Sequence, residues 1–271
     1  MCSSPQSLRE PVLQRRVAAE LAAGETLALC LDFDGTLSPI RADPTAATLA
    51  SENRRLLTAF RDHPATEVAV ISGRALADVR DRVGIEGLTY AGNHGLELQR
   101  DGRTVIHPLA AACEPTIRSV VETVRDSLAD IDGAFVEDKD VTATIHYRGV
   151  ASQQVEAVHR AVDRAVADAD RPVQVGDGKE ILEVRPAVSW DKGAIVELVD
   201  ESAGPGATTV YIGDDTTDEA AFRAVGRSGA SVHVGTTSET TAAYQLSDPE
   251  AVTAFLGRLW AELASSADVE G

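Results

Sequence analysis

The chain has 271 residues, 44% hydrophobic and 25% charged, the make-up of a soluble globule with room for one large domain or for a core carrying a smaller insert. A formal net charge of −18 sets it against nucleic acid and anionic membrane as partners. No apolar run approaches the length of a membrane span, the N-terminal stretch MCSSPQSLREPVLQRR lacks the apolar region of a signal peptide, and Cys2, Cys30 and Cys113 are too few for a disulfide framework or a metal cluster, so a reducing, cytoplasmic setting is expected.

The first predicted strand, 26–33, reads TLALCLDF and runs on into Asp34, Gly35 and Thr36. Its continuous apolar stretch fits a strand covered on both faces. Asp is a poor strand former, and a buried ionised carboxylate needs a partner, so Asp32 and Asp34 call for an explanation. Side chains two apart leave a strand on the same side. Both carboxylates would then stand beyond the strand's carboxyl end, where open α/β sheets bind ligands, with Phe33 turned toward the core. Two adjacent carboxylates repel each other, and hard oxygen donors suit Mg2+ between them. A plain strand-end turn would give the same local pattern, so a second acidic motif elsewhere in the chain has to decide between them.

A helix is predicted over 45–62, a strand over 67–71 and a helix over 74–82. At the last junction VAVISGR places Ser72 after an apolar strand, with Gly73 in the turn and Arg74 behind it. A hydroxyl beside helix-start amides makes a phosphate cradle or a simple helix cap. A third strand is predicted at 88–91.

The middle of the chain differs. A helix over 114–130 carries Ile117, Val120, Val121, Val124 and Leu128 on one stripe. Strands at 133–138 and 141–148 flank an Asp-Lys-Asp turn, a helix covers 151–168, and strands near 172–176 and 179–185 are separated by Gly-Asp-Gly. This α-β-β-α-β-β order marks an inserted α+β module at 109–186 within a core of 1–108 and 187–271, with Pro108 and Pro186 as hinge markers. The core resumes with a helix at 191–203, strands at 208–212 and 231–234, and helices at 217–225 and 249–264; SSADVEG reads as a frayed end. Strands alternating with helices argue for a parallel sheet covered on both faces.

Two motifs of the resumed core carry chemistry. WDKG (190–193) puts Lys192 in the first turn of a helix, where the dipole disfavours a cation and a phosphate would explain it. Only three lysines, Lys139, Lys179 and Lys192, stand among 25 Lys and Arg, so each is a candidate for a position needing a compact ammonium. VYIGDDTTDE (210–219) ends an apolar strand in Asp214 and Asp215, with Asp218 one turn on. An acidic helix start accounts for Asp218 and Glu219 alone; carboxylates gathered with those of the first strand imply a metal. Tyr90, Trp190 and Phe222 read as core, and His146 as lining a strand.

As an ordered set, DxDGT, the strand-end Ser, the Lys and GDDxTD resemble the haloacid-dehalogenase-type phosphatases. The resemblance implies a Rossmann-like α/β core with an inserted αββαββ cap. It makes Asp32 the nucleophile of an aspartyl-phosphate and Asp34 the general acid, then base. Ser72 and Lys192 would hold phosphoryl oxygens, with Gly73 and Arg74 at the substrate. Mg2+ would be held by Asp32, the Asp34 backbone carbonyl and Asp214, with Asp215 beside the ion and Asp218 behind. AGNHGLE (91–97), VEDKDVTATIHYR (136–148) and GKEILEVRP (178–186) further resemble the trehalose-6-phosphate phosphatase family over nearly the full length. That implies Mg2+-dependent hydrolysis of trehalose 6-phosphate, with Glu137, Lys139, Lys179 and Glu183 on sugar hydroxyls and His94 and Arg148 nearby. Asn93 departs from the Ser or Thr expected before His-Gly. Phosphatases of mannosyl- or glucosyl-3-phosphoglycerate or of sucrose phosphate share such a core and cap. Outside enzymes the alternative is a silent sugar-phosphate sensor, which could lose Asp32, Asp34 or Lys192; all three are present. The expected partner is a small sugar phosphate and the expected state a monomer.

Overall fold

Strand β1 (Leu27–Leu31) shows why this chain forms a covered sheet. Leu27, Leu29 and Leu31 enter one apolar cluster, while Ala28 and Cys30, on the opposite face, enter another. The computed structural model describes residue 17 and residues 26–41, 43–225, 229–237 and 239–267. Cys2, the N-terminal stretch read for a signal peptide and the last four residues of the expected frayed end lie outside the described residues.

In chain order β1 is followed by α1 (Ser51–Asp62), β2 (Thr66–Ile71), α2 (Leu76–Val83), β3 (Thr89–Gly92), β4 (Glu97–Arg100) and β5 (Arg103–Ile106). Then come α3 (Pro108–Ser127), β6 (Phe135–Asp138), β7 (Ala143–His146), α4 (Ser152–Ala167), β8 (Val173–Gly178) and β9 (Ile181–Pro186). The described elements end with α5 (Lys192–Ala203), β10 (Thr208–Gly213), α6 (Glu219–Ala224), β11 (Ala230–Val234), β12 (Tyr244–Leu246) and α7 (Pro249–Ala267). The chain divides into two units: the described residues up to Thr104 with those from Trp190 onward, and Val105–Ser189. Among the described residues no helix is long and apolar enough to cross a membrane.

The first unit is built on an eight-stranded sheet of order β12-β11-β10-β1-β2-β3-β4-β5, whose edge strand β5 straddles the division. Leu56, Leu57 and Phe60 of α1 and Phe255, Leu256 and Leu259 of α7 cover one face; Ile195, Val196 and Val199 of α5 and Phe222 of α6 cover the other. The α/β class with helices on both faces is the expected one. β1 lies between β10 and β2 and runs parallel to both, with Leu31 opposite Ile212 on one side and Val70 on the other. The chain leaves β1 in one direction across the sheet and returns on the other, so a crevice opens at the carboxyl ends of these three strands. The residues just past them are Asp32, Ser72 and Asp214.

Three expectations for this unit change. The helix expected over 45–62 is a short 3-10 turn at Pro44–Ala46 followed by α1, because Ala47 and Leu49 are drawn into the core between them. The hairpin β4–β5 is an addition to the expected elements, although its turn is the favourable Asp-Gly pair, with Asp101 at φ 50° and Gly102 at φ 73°. The short β12 adds one more parallel strand beside β11.

The second unit is α-β-β-α-β-β, its four strands antiparallel in the order β6-β7-β9-β8. The expected stripe of Ile117, Val120, Val121, Val124 and Leu128 packs with Val136, Ile145, Leu182 and Val184. α3 begins at Pro108, earlier than expected, and continues through Pro115. The β8–β9 hairpin also differs. Gly176, Asp177 and Gly178 belong to β8, and Gly178 pairs with Ile181, so the turn is Lys179–Glu180 with Glu180 at φ 63°. Lys139 lies in the β6–β7 connection, where the Asp-Lys-Asp turn is expected: its N–H donates to the Thr142 carbonyl at 3.0 Å.

Candidate active site

The end of β1 carries a buried ion-pair centre. The Asp32 N–H donates to the Ile212 carbonyl at 2.9 Å, continuing the β1–β10 ladder one residue past the strand. Lys192 Nζ donates to Asp32 Oδ1 at 2.7 Å and to Asp218 Oδ1 at 2.6 Å. Tyr211 Oη donates to the same Asp218 oxygen at 2.6 Å, and the Asp215 N–H to Asp218 Oδ2 at 2.9 Å. Asp32, Lys192 and Asp218 are exposed by 4%, 3% and 0%, so each charge depends on the others. Two carboxylates thus answer the puzzle of a cation at a helix start, while Asp191 caps that start by accepting from the Gly193 and Ala194 N–H groups. Burial pushes the Asp32 carboxyl well above the usual carboxylate range; Lys192 pulls it back, and Asp218 and Asp214 push it further up. Burial works against Asp218 as well, but Lys192 outweighs it and holds that carboxyl below its ordinary value. Burial opposes the Lys192 ammonium, and Asp218 and Asp32 overcome this to hold it above its ordinary value.

Asp214 completes the acidic group: Asp32, Asp214 and Asp218 each bring a carboxylate oxygen within 4.8 Å of the others. Gly35 makes room for it. Its φ is +82°, and a Cβ there would lie 2.1 Å from Asp214 Oδ2. An all-oxygen, acidic donor set beside an open strand end fits a hard divalent cation such as Mg2+. Asp215 is exposed, and its carboxylate accepts the Thr216 N–H at 2.8 Å as a cap on the turn that carries Asp218. Gly35→Ala is expected to lose about 1–3 kcal/mol of stability through the left-handed backbone. Displacement of Asp214 should also weaken Mg2+ binding about tenfold or more. Calorimetric melting and titration with Mg2+ check both; an alanine variant matching wild type in both would show that Gly35 is not needed to seat Asp214.

The β2–α2 junction forms the opposite wall. Ser72 is buried; its N–H donates to Ala91 O at 2.9 Å, its carbonyl accepts the His94 N–H at 2.9 Å, and its Oγ accepts the Arg74 N–H at 3.2 Å. A Cβ at Gly73 would lie 2.6 Å from His94 Cε1, so the imidazole rests against that glycine. Asn93 and His94 both occupy the left-handed region, at φ 48° and 57°. Asn tolerates that region better than a β-branched residue, which suits it to the position where the family resemblance leads one to expect Ser or Thr. Its Nδ2 donates to Glu97 Oε2 at 2.6 Å, and the same oxygen accepts the Leu76 N–H at the start of α2 at 3.0 Å. Trp190, expected in the core, also ties this loop down: its Nε1 donates to Gly95 O at 2.8 Å. Arg74, expected at the substrate, holds Asp34 and Asp78.

In the second unit, strand register sorts the remaining candidates. Val136, Ile145 and Leu182 turn into the core cluster, so the next paired row, Glu137–Thr144–Glu183, lies on the other face of the sheet. Glu137 Oε2 lies 2.9 Å from His146 Nε2, and the Thr144 hydroxyl is buried between the two glutamate positions. Lys139 sits in the β6–β7 connection, and Lys179 at the exposed hairpin tip. Arg148 Nε donates to Glu180 Oε2 at 2.8 Å in an exposed pair.

The sequence profile of the trehalose-phosphatase family matches residues 30–250. The chain belongs to that family. It is 40% identical over 248 residues to a trehalose-phosphate phosphatase of Mycobacterium marinum, covering 88% of this chain and 62% of that protein. The chain thus spans less than two thirds of the length of this mycobacterial relative. Among solved structures, the C-terminal domain of C. albicans trehalose-6-phosphate phosphatase superposes with a TM-score of 0.77 at 23% identity, covering 96% of this chain and 98% of that one. The Aspergillus fumigatus trehalose-6-phosphate phosphatase superposes at 0.65 with 27% identity, covering 96% and 99%.

Three residues of the first unit escape a reading of the sequence. Tyr211 looks like any aromatic of a buried strand; only the i+7 position of Asp218, folded back by the intervening turn, brings its hydroxyl onto that carboxylate. Glu97 shows no signal beyond its place in AGNHGLE. Asp78 does carry one: with Arg74 and Arg82 it forms an i, i+4, i+8 row of alternating charge along the start of a helix.

Proposed function

We propose that the chain hydrolyses trehalose 6-phosphate to trehalose and phosphate through an aspartyl-phosphate on Asp32, with Mg2+ as cofactor. The observation that carries the reading is Asp32: a buried carboxylate at a strand end, held through Oδ1 by Lys192 with Asp214 alongside. Asp32 bonds to phosphorus as the ester P–O bond breaks, and the departing sugar oxygen takes its proton from Asp34. Water then attacks the same phosphorus, yields a proton to Asp34, and phosphate leaves with Asp32 restored. Lys192 keeps Asp32 oriented and sets a positive charge beside the phosphoryl oxygens, and Ser72 lies at the adjoining strand end to bind one of them. Mg2+, held by Asp32, the Asp34 carbonyl and Asp214, supplies charge neutralisation for the phosphoryl group.

The sugar goes to the polar row of the second unit. Glu137, Glu183, Lys139 and Lys179 offer charged acceptors and donors, which make strong hydrogen bonds to a neutral, hydroxyl-rich disaccharide. The free thiols of Cys30 and Cys113 suit a reducing cytoplasm.

Phosphate release from a panel of sugar phosphates, with Mg2+ and after chelation, tests the reading. Trehalose 6-phosphate should be the best substrate and chelation should abolish turnover reversibly. Faster turnover of a glucosyl- or mannosyl-3-phosphoglycerate or of sucrose phosphate would replace the sugar assignment. Glu183→Ala should raise KM for trehalose 6-phosphate about tenfold, the worth of a charged hydrogen bond, with little change for p-nitrophenyl phosphate. Equal effects on both substrates would remove the second unit from sugar recognition.

A further inference from the structure

Asp34 has a dedicated holder. Arg74 grips its carboxylate with both prongs of the guanidinium, Nε to Oδ2 at 2.6 Å and Nη2 to Oδ1 at 2.8 Å. The remaining terminal nitrogen, Nη1, donates to Asp78 Oδ2 at 2.7 Å. Asp78 also takes Arg82 Nε on both of its oxygens at 2.8 Å, and Arg82 Nη1 donates to the carbonyls of Thr45 and Ala47 at 2.9 and 2.8 Å. The Arg74 side chain is only 13% exposed, and its guanidinium carbon lies 5.7 Å from the centre of the Phe33 ring. A rigid relay therefore runs from the 45–47 loop through α2 to the strand-end acid.

We infer that Arg74 is a positioning residue for Asp34, fixing the plane of its carboxyl for proton transfer rather than binding substrate. The inference rests on the role assigned to Asp34 above. Two parallel bonds set both the place and the rotation of a carboxyl group, which a lysine could not do. Each Asp34 oxygen keeps a second lone pair beyond its bond to Arg74. The clamp thus leaves room for the proton that Asp34 passes to the departing oxygen and later takes from water. An arginine serving the phosphate instead would have to abandon two carboxylates, one of which, Asp78, is fixed from its other side by Arg82.

The test compares kcat/KM for phenyl phosphate and p-nitrophenyl phosphate, esters of similar shape whose leaving groups differ in basicity. Nitrophenolate departs without a proton, whereas phenolate needs one, and kcat/KM covers only the steps up to that departure. Arg74→Ala should lower kcat/KM about 10- to 100-fold for phenyl phosphate and less than about threefold for p-nitrophenyl phosphate, part of the usual worth of a positioned acid. Arg74→Lys should show the same selectivity, and Asp78→Asn a smaller loss in the same direction; these two carry the comparison if circular dichroism shows the alanine variant unfolded. Equal losses on both esters would make Arg74 a phosphoryl ligand, and no loss on either would make it a sugar ligand or a purely structural residue; both overturn the inference. Wild-type turnover of the aryl esters without turnover of trehalose 6-phosphate would end the sugar assignment and leave this comparison standing.

Discussion

Asp32→Asn is expected to reduce phosphate release by about 10⁴-fold or more while leaving the protein folded. The amide nitrogen and carbonyl of asparagine are too weakly nucleophilic to take a phosphoryl group, so direct attack by water is all that remains. The fold survives because the native aspartate is not a comfortable resident. Burial drives its carboxyl upward, and Asp218 and Asp214 add repulsion that Lys192 only partly offsets. A neutral amide of the same size removes that penalty and leaves Lys192 paired with Asp218 at 2.6 Å. These opposing forces also set the sign of the pH dependence. A carboxyl whose folded pKa lies above its unfolded value near 3.8 favours the folded state below that value and loses this contribution as pH rises toward the folded pKa. The melting temperature of the asparagine variant should therefore gain on that of wild type as pH rises from about 4 to 7. Phosphate release within tenfold of wild type would exclude Asp32 as the nucleophile.

Much of this architecture is legible in the residues because function forces them to break local rules. Aspartate at the end of an apolar strand, as at Asp32 and Asp214, conflicts with both strand propensity and burial, and a lone lysine in a helix's first turn conflicts with the dipole. Such conflicts mark sites. What stays hidden is what depends on register between distant segments. Arg74 and Asp34 are 40 residues apart, and nothing in SGR says that parallel pairing of β1 with β2 will bring the guanidinium onto that carboxyl. Tyr211 obeys every rule of a core strand until the turn after β10 folds Asp218 back onto it. The β8–β9 turn departs from expectation because glycine is the usual turn signal, whereas here Glu180 takes the left-handed position and the glycines stay in the strand. The β4–β5 hairpin does carry its Asp-Gly signal, but its exposed last strand lacks the alternation that would flag it.

Lys192→Met should be the most destabilising single change at the site. It removes one cation from between two carboxylates that are 4% and 0% exposed, leaving two buried like charges where there had been a bridged pair. Breaking a buried ion pair in this way costs about 3–5 kcal/mol, because the surviving charges keep their desolvation penalty and lose their compensation. Activity should fall with it, since the same ammonium orients the nucleophile. The loss should depend on pH in a way that simple misfolding would not. In wild type Lys192 holds the Asp218 carboxyl below its ordinary value of 3.8, a contribution present above that pH and lost as pH falls through the lowered folded pKa. In the methionine variant both carboxyls are buried without a counter-ion, so their folded pKa values lie above the unfolded ones and acid favours its folded state. The two denaturation midpoints should therefore stand far apart at pH 7 and converge toward pH 4. Adding Asp218→Asn to Lys192→Met should recover part of the stability at pH 7 but none of the activity, because it removes one stranded charge without replacing the cation. Equal midpoints for wild type and Lys192→Met at pH 7 would mean that the buried carboxylates do not depend on this lysine, and with that the account of the centre would fail.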